Sequence, residues 1–144
     1  LKEDVSDVYY TIEIGKARNV SAGNDITIIT YGLGVHWALE LAEARKDLSI
    51  EILDLRTLLP LDQDAIYSAV RKTGKVIVLH EDCLTGGIGG EIVALINENC
   101  FESLDAPVLR VASLDTPVPF AVSLEKQFLP QDRLSEAVEK LLNY

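Results

Sequence analysis

The sequence contains no methionine, two cysteines, one tryptophan and only 6% aromatic residues over its 144 positions. With leucine at position 1, the missing methionine leaves no initiator residue and predicts a piece cut from a longer chain. Two cysteines make no disulfide framework, and neither CxxC nor HxxxH spacing occurs, so nothing points to zinc. Cys83, in an expected loop, and Cys100, in an expected helix, read as free thiols in a reducing compartment. Cations are also scarce, with 13 Lys+Arg against 23 Asp+Glu and a formal net charge of -10. Such a surface repels phosphate backbones and anionic membranes and steers a basic protein partner toward itself. No stretch approaches the roughly 20 apolar residues that span a bilayer, and the N-terminus has no secretory-signal pattern.

What is present is a chain 48% hydrophobic, long enough for one core and too short for two. Residues 1–11 carry charge without period and suit a linker from an upstream domain, leaving 12–144 as one domain. A first short strand is expected within Ile12 to Val20, and a turn over Ser21 to Asp25. The β-branched run Ile26 to Tyr31 then reads as a strand buried on both faces, the mark of a parallel sheet. Val35, Ala38, Leu39 and Ala42 share one helical face after Gly32-Leu33-Gly34. The alternation repeats. Strand Ile50 to Leu55 precedes a helix capped by Asp62, with Ala65, Ile66, Ala69 and Val70 on one face and a stop at Gly74. Strand Val76 to Leu79, helix Gly89 to Cys100 and strand Val108 to Ala112 follow. A last helix carries Leu134, Ala137, Val138 and Leu141 after Pro130, with Asp132 as its expected cap. Strands separated by helices need crossover connections, so the fold class is α/β, a mostly parallel sheet covered on both sides.

Ligands of such sheets bind beyond the carboxyl ends of the strands, where three features stand out. Tyr31-Gly32-Leu33-Gly34, with Asp54 20 residues after Gly34, imitates a dinucleotide fingerprint. Trp37 occupies the place of the third glycine, which favours a structural turn. Thr85-Gly86-Gly87-Ile88-Gly89-Gly90 opens a helix and offers backbone N–H groups to an anion. It lacks a GKS or GKT ending and is flanked by His80-Glu81-Asp82 and Glu91, which favours tight packing against a partner. His80 itself, beside two carboxylates, is either an acid or base or a strand-end histidine satisfied by hydrogen bonds. His36 reads as a surface or interface residue near a helix start.

Several runs, taken together, resemble one family. Ile14-Gly15-Lys16-Ala17, Asp25 to Gly32, the run DLRTLLPLD over 54–62 and His80-Glu81 are similar to the beta subunit of 2-oxo acid dehydrogenases. Gly86 to Ile92, the LDAP run 104–107, Arg110-Val111, the DTPVP run 115–119 and Leu129-Pro130 continue the resemblance in order and spacing. The form HED-x-x-TGG-x-GGE resembles the branched-chain (2-oxoisovalerate) or bacterial pyruvate type, and transketolase ends in a related domain. The resemblance implies a three-layer α/β/α sandwich with a five-stranded sheet and one antiparallel edge strand. It implies a parent enzyme in which thiamine diphosphate attacks a 2-oxo acid, carbon dioxide leaves and the acyl group passes to a lipoyl group. That cofactor and its magnesium belong to other domains, through a GDG motif and an activating glutamate that find no counterpart here, so no catalytic, cofactor or metal residue carries over. The implied partners are the remaining domains or an alpha subunit, a second beta copy, and the basic subunit-binding domain of the lipoyl acyltransferase. Asp105 and the terminal Tyr144 are the positions assigned to that docking, and His80, Glu81, Gly86 and Gly87 form a candidate strand-end or interface loop. The bacterial cytoplasm fits better than the mitochondrial matrix. The rival reading is a small-molecule regulatory or nucleotide-binding domain using Gly32, Gly34, His80 and Gly86.

Overall fold

A computed structural model describes residue 4 and residues 6–144. Residues 1–3 and 5 of the expected linker lie outside the described residues, and residues 6–11 form neither helix nor strand. Five strands make one sheet: β1 (Arg18–Ser21), β2 (Ile26–Thr30), β3 (Ile50–Asp54), β4 (Val76–Cys83) and β5 (Leu109–Ser113). Their order is β1-β3-β2-β4-β5, with β1 antiparallel to β3 and every other pairing parallel. The expected antiparallel edge strand is therefore present. It is displaced toward the C-terminus of its window, because Arg18, Asn19 and Ser21 are the residues that pair with β3, whereas Ile12 and Ile14 pair with none.

Between the strands run α1 (Leu33–Ala44), α2 (Gln63–Thr73) and α3 (Gly89–Cys100), and after them α4 (Val122–Phe128) and α5 (Gln131–Leu142). Period-two alternation sorts the strand side chains. Ile26, Ile28, Ile50, Ile52, Ile77 and Leu79 pack with Trp37 and Leu41 of α1 and Leu134, Val138 and Leu141 of α5. Ile29, Leu53, Val76 and Val78 face the other way, onto Ile66 and Val70 of α2 and Ile92 and Ile96 of α3. Each such fully buried aliphatic side chain contributes about 1.5–3 kcal/mol, which is why both layers are required. None of these helices is long and apolar enough to cross a membrane among the described residues.

Local rules account for both ends of α2, whereas two other expectations fail. Asp62 caps α2, its carboxylate accepting from the Ala65 N–H, and Gly74 ends that helix in the left-handed conformation at φ 65°. Asp132, expected to cap the last helix, instead lies in the first turn of α5, with Pro130 at the cap position. The fixed ring of Pro130 starts the helix before Asp132 is reached. The second exception is α4, a seven-residue helix that the periodicity did not announce; only its Phe128 is buried. β4 also runs to Cys83, four residues past its expected end, because Cys83 pairs with Ser113 after an irregularity beyond Leu79. Cys83 is thus a strand residue, not a loop residue.

Candidate functional site

Motifs far apart in sequence meet at the carboxyl ends of the strands. The Gly15 N–H donates to Thr57 Oγ1 at 3.0 Å and the Ala17 N–H to Asp62 Oδ2 at 3.0 Å, tying the IGKA run to the DLRTLLPLD run. On the other side of the sheet the N–H and hydroxyl of Thr85 donate to the two oxygens of Asp115 at 2.8 and 2.7 Å, joining the TGG loop to DTPVP. Those two donors hold the Asp115 carboxyl below its usual range. A side chain at Asp115 was not among the expected site residues; the signal available for it was only its place in a motif.

His80 points from β4 toward the start of α3 and is fully buried. Neither ring nitrogen has a hydrogen-bond partner, which corrects the expectation of a histidine satisfied at a strand end. The reason lies in its neighbours. A methyl group on Gly87 would meet His80 Cε1 at 2.6 Å, and one on Gly89 would collide with His80 Nε2. The loop glycines thus lie against the imidazole, where any side chain would collide with it. Burial pushes the His80 pKa down, opposed by the nearby Asp82 carboxylate. Glu81 and Asp82 are exposed at the strand end; burial first, and then Asp82 and Glu81, raise the pKa of Tyr31, at the end of β2. Gly86, exposed at φ 82°, supplies the left-handed turn of the loop. An acidic rim of this kind disfavours an anion over the loop.

The fingerprint-like glycines lie between β2 and α1. A methyl group on Gly34 would overlap Thr30 Oγ1, so Gly34 lets helix and strand approach, while Trp37 fills the core between α1 and α5. Gly32 and His36 line a cavity of about 700 Å³ with Ile12, Arg18, Asp54 and Arg56. Cations and carboxylates are mixed in it, and Arg56 takes a left-handed φ of 57° while its N–H donates to Asp54.

Asp105 and Tyr144 occupy the opposite end of the molecule. The Asp105 N–H donates to the carbonyl of Gly74 at 2.9 Å, just before β4 begins, and Asp105 is an exposed residue whose carboxylate is laid against Gly74, where a methyl group would collide with it. The Arg133 guanidinium, at the start of α5, donates to the carbonyls of Ala112 and Phe128 at the carboxyl end of β5. From that anchor a twelve-residue helix returns about 18 Å along a strand of about 17 Å, which delivers Tyr144 to the amino end. Tyr144 is exposed there. A groove of about 730 Å³ runs beside Asp105, floored by Val93, Ala94, Leu104 and Val108 and walled by the exposed Phe101. His80, Glu81, Gly86 and Gly87 therefore lie at one edge, with Gly87 against the His80 ring, whereas Asp105 and Tyr144 lie toward the other on different elements.

Comparison with known proteins agrees with this fold. The chain is 44% identical over its whole length to the 2-oxoisovalerate dehydrogenase subunit beta of Bacillus subtilis, covering 45% of that protein. It is 44% identical over 99% of its length to the pyruvate dehydrogenase E1 component subunit beta of the same organism, again covering 45%. The chain thus spans less than half the length of these relatives. Among solved structures it matches an inactive beta4 tetramer of a split-gene transketolase with a TM-score of 0.78 and 26% identity, covering 99% of this chain and 46% of that one. The family described as "Transketolase, C-terminal domain" matches residues 15–133, and the chain belongs to that family.

Proposed function

We propose that this chain is the C-terminal assembly and docking domain of the decarboxylating component of a 2-oxo acid dehydrogenase. The parent reaction is the oxidative decarboxylation of a branched-chain 2-oxo acid or pyruvate, with acyl transfer to the lipoyl acyltransferase. The observation that carries this is the 44% identity to two such beta subunits across the full chain. Equal identity to the two leaves the substrate shared between them. A bacterial cytoplasmic location accords with those relatives.

The residues of this chain do not fit thiamine diphosphate and its magnesium. No group of three or more His, Cys, Asp or Glu side chains converges to hold a metal among the described residues, and the glycine loop is rimmed by Glu81 and Asp82. No catalytic step is assigned to them. The cofactor belongs to the remaining domains or an alpha subunit, which with a second beta copy complete the enzyme.

The docking surface is the amino-end edge, where Asp105 and Tyr144 are exposed residues on a molecule of net charge -10. Its partner is the small basic subunit-binding domain of the acyltransferase. Titration of this chain, assembled as its dimer, with that purified domain tests the reading. Binding that weakens about tenfold in Asp105→Ala supports it, since an interfacial charge contact of this kind contributes about 1–2 kcal/mol. Absence of binding by a properly assembled sample would overturn it.

A further inference from the structure

Cations are scarce on this molecule, and most of its arginines are committed within the fold. The ion pairs among the described residues use Arg45, Lys46 and Lys72. Arg71 donates to the Asn99 carbonyl, Arg110 to that of Leu84, and Arg133 to those of Ala112 and Phe128. Arg18 and Arg56 are the arginines left over. Neither guanidinium meets an acceptor among the described residues, and both line the same cavity of about 700 Å³ beside β1, β3 and α1.

Two carboxylates, Glu13 and Asp54, line that cavity as well, and neither forms an ion pair with either arginine. Arg18 stands opposite Asp54 in the antiparallel register of β1 and β3, a position where opposite charges ordinarily attract. Asp54 Oδ1 instead accepts from the Arg56 N–H at 3.0 Å, with Arg56 in a left-handed conformation at φ 57°. Charges of both signs therefore share one cavity without neutralising each other. Much of the remaining wall is aliphatic, formed by Ile12, Ile14, Val20, Val35 and Leu39.

These parts select a ligand by its chemistry. A guanidinium fork matches a carboxylate, a carboxylate matches an ammonium, and an aliphatic wall matches an aliphatic side chain. A simple anion would be repelled by Glu13 and Asp54, and a simple cation would leave both arginines unanswered. A small zwitterion answers both signs, and the cavity is of the size that holds small molecules. We infer that this cavity binds an apolar α-amino acid, with its carboxylate on Arg18 and Arg56, its ammonium toward Glu13 and Asp54, and its side chain on the aliphatic wall. The corresponding 2-oxo acid keeps the carboxylate and the side chain but has no ammonium, so the site separates an amino acid from its oxo counterpart. Neither Asp105 nor Tyr144 lines the cavity, and the inference stands independently of the docking reading.

L-leucine is the probe, and its two controls each lack one charge: α-ketoisocaproate has no ammonium and isopentylamine has no carboxylate. Isothermal titration of the 144-residue chain should show leucine binding at least about tenfold more tightly than either control. Arg18→Gln and Arg56→Gln should each weaken leucine about tenfold, whereas Glu13→Gln should weaken leucine and leave α-ketoisocaproate unchanged. All three positions are exposed, so the thermal midpoint without ligand should stay where it is in each variant. No leucine binding, equal affinity for leucine and α-ketoisocaproate, or leucine binding that survives all three substitutions would each overturn the inference.

Discussion

At the scale of the residue, His80 is the informative case. It is a neutral imidazole buried without partners, and each unsatisfied polar atom of that kind costs about 1–3 kcal/mol. Its pKa is lowered in the fold from an ordinary 6.5. Above pH 6.5 both folded and unfolded chains hold it neutral, so its full stability is present. As pH falls below 6.5 the unfolded chain protonates first, and stability drops by up to about 1.4 kcal/mol per unit until the lowered folded pKa is reached. Urea unfolding of the parent chain and His80→Gln at pH 8 and at pH 5.5 should show a larger loss in the parent, and equal losses would refute the assignment. The loop glycines follow from the same ring. Gly89→Ala should destabilise by about 1–3 kcal/mol through overpacking, and much less in a His80→Ala background where the methyl group finds space. An additive double variant would mean that the ring is not the obstacle.

Elements were legible where a burial face repeats and illegible where a single pairing decides. The β-branched runs and the 3.6-residue periods gave β2, β3 and α1 to α3 nearly to the residue, since each buries a continuous face. β1 was displaced because Tyr10, Ile12 and Ile14 alternate like a strand yet pair with nothing here, while the less apolar Arg18–Ser21 does the pairing. α4 escaped because a helix with one buried residue leaves no period to read. The meetings of distant motifs were also invisible, since a contact such as Thr85 to Asp115 spans 30 residues. Asp62 joins two elements at once: one oxygen caps α2 and the other holds the Ala17 N–H. Asp62→Ala should therefore cost about 1–2 kcal/mol by urea unfolding, in line with loss of a cap. It should also speed tryptic cleavage after the exposed Lys16 in the released segment. A stability loss with unchanged cleavage would separate the cap from the tether.

The whole molecule presents two edges with different chemistry. At the amino end stand Asp105, Tyr144 and the groove along α3; at the carboxyl end stand exposed apolar side chains and the acidic strand end. The resemblance to dehydrogenase beta subunits is what assigns Asp105 and Tyr144 to docking, whereas exposure of Phe120 or Leu59 is a property of the folded surface and has no sequence period. Strands of about 17 Å separate the edges, well beyond the 7–10 Å over which substitutions couple. Asp105→Lys replaces a carboxylate by an ammonium and takes the net charge from -10 to -8, so binding of the basic domain should weaken more than tenfold. Most of that loss should vanish by 0.5 M salt, where screening removes the contrast between the two charges. Phe120→Asp, an exposed substitution at the carboxyl end, should leave docking affinity unaltered. Isothermal titration on the two single variants and the double variant measures the coupling, and an interaction energy above about 0.5 kcal/mol would show that the edges communicate through the sheet.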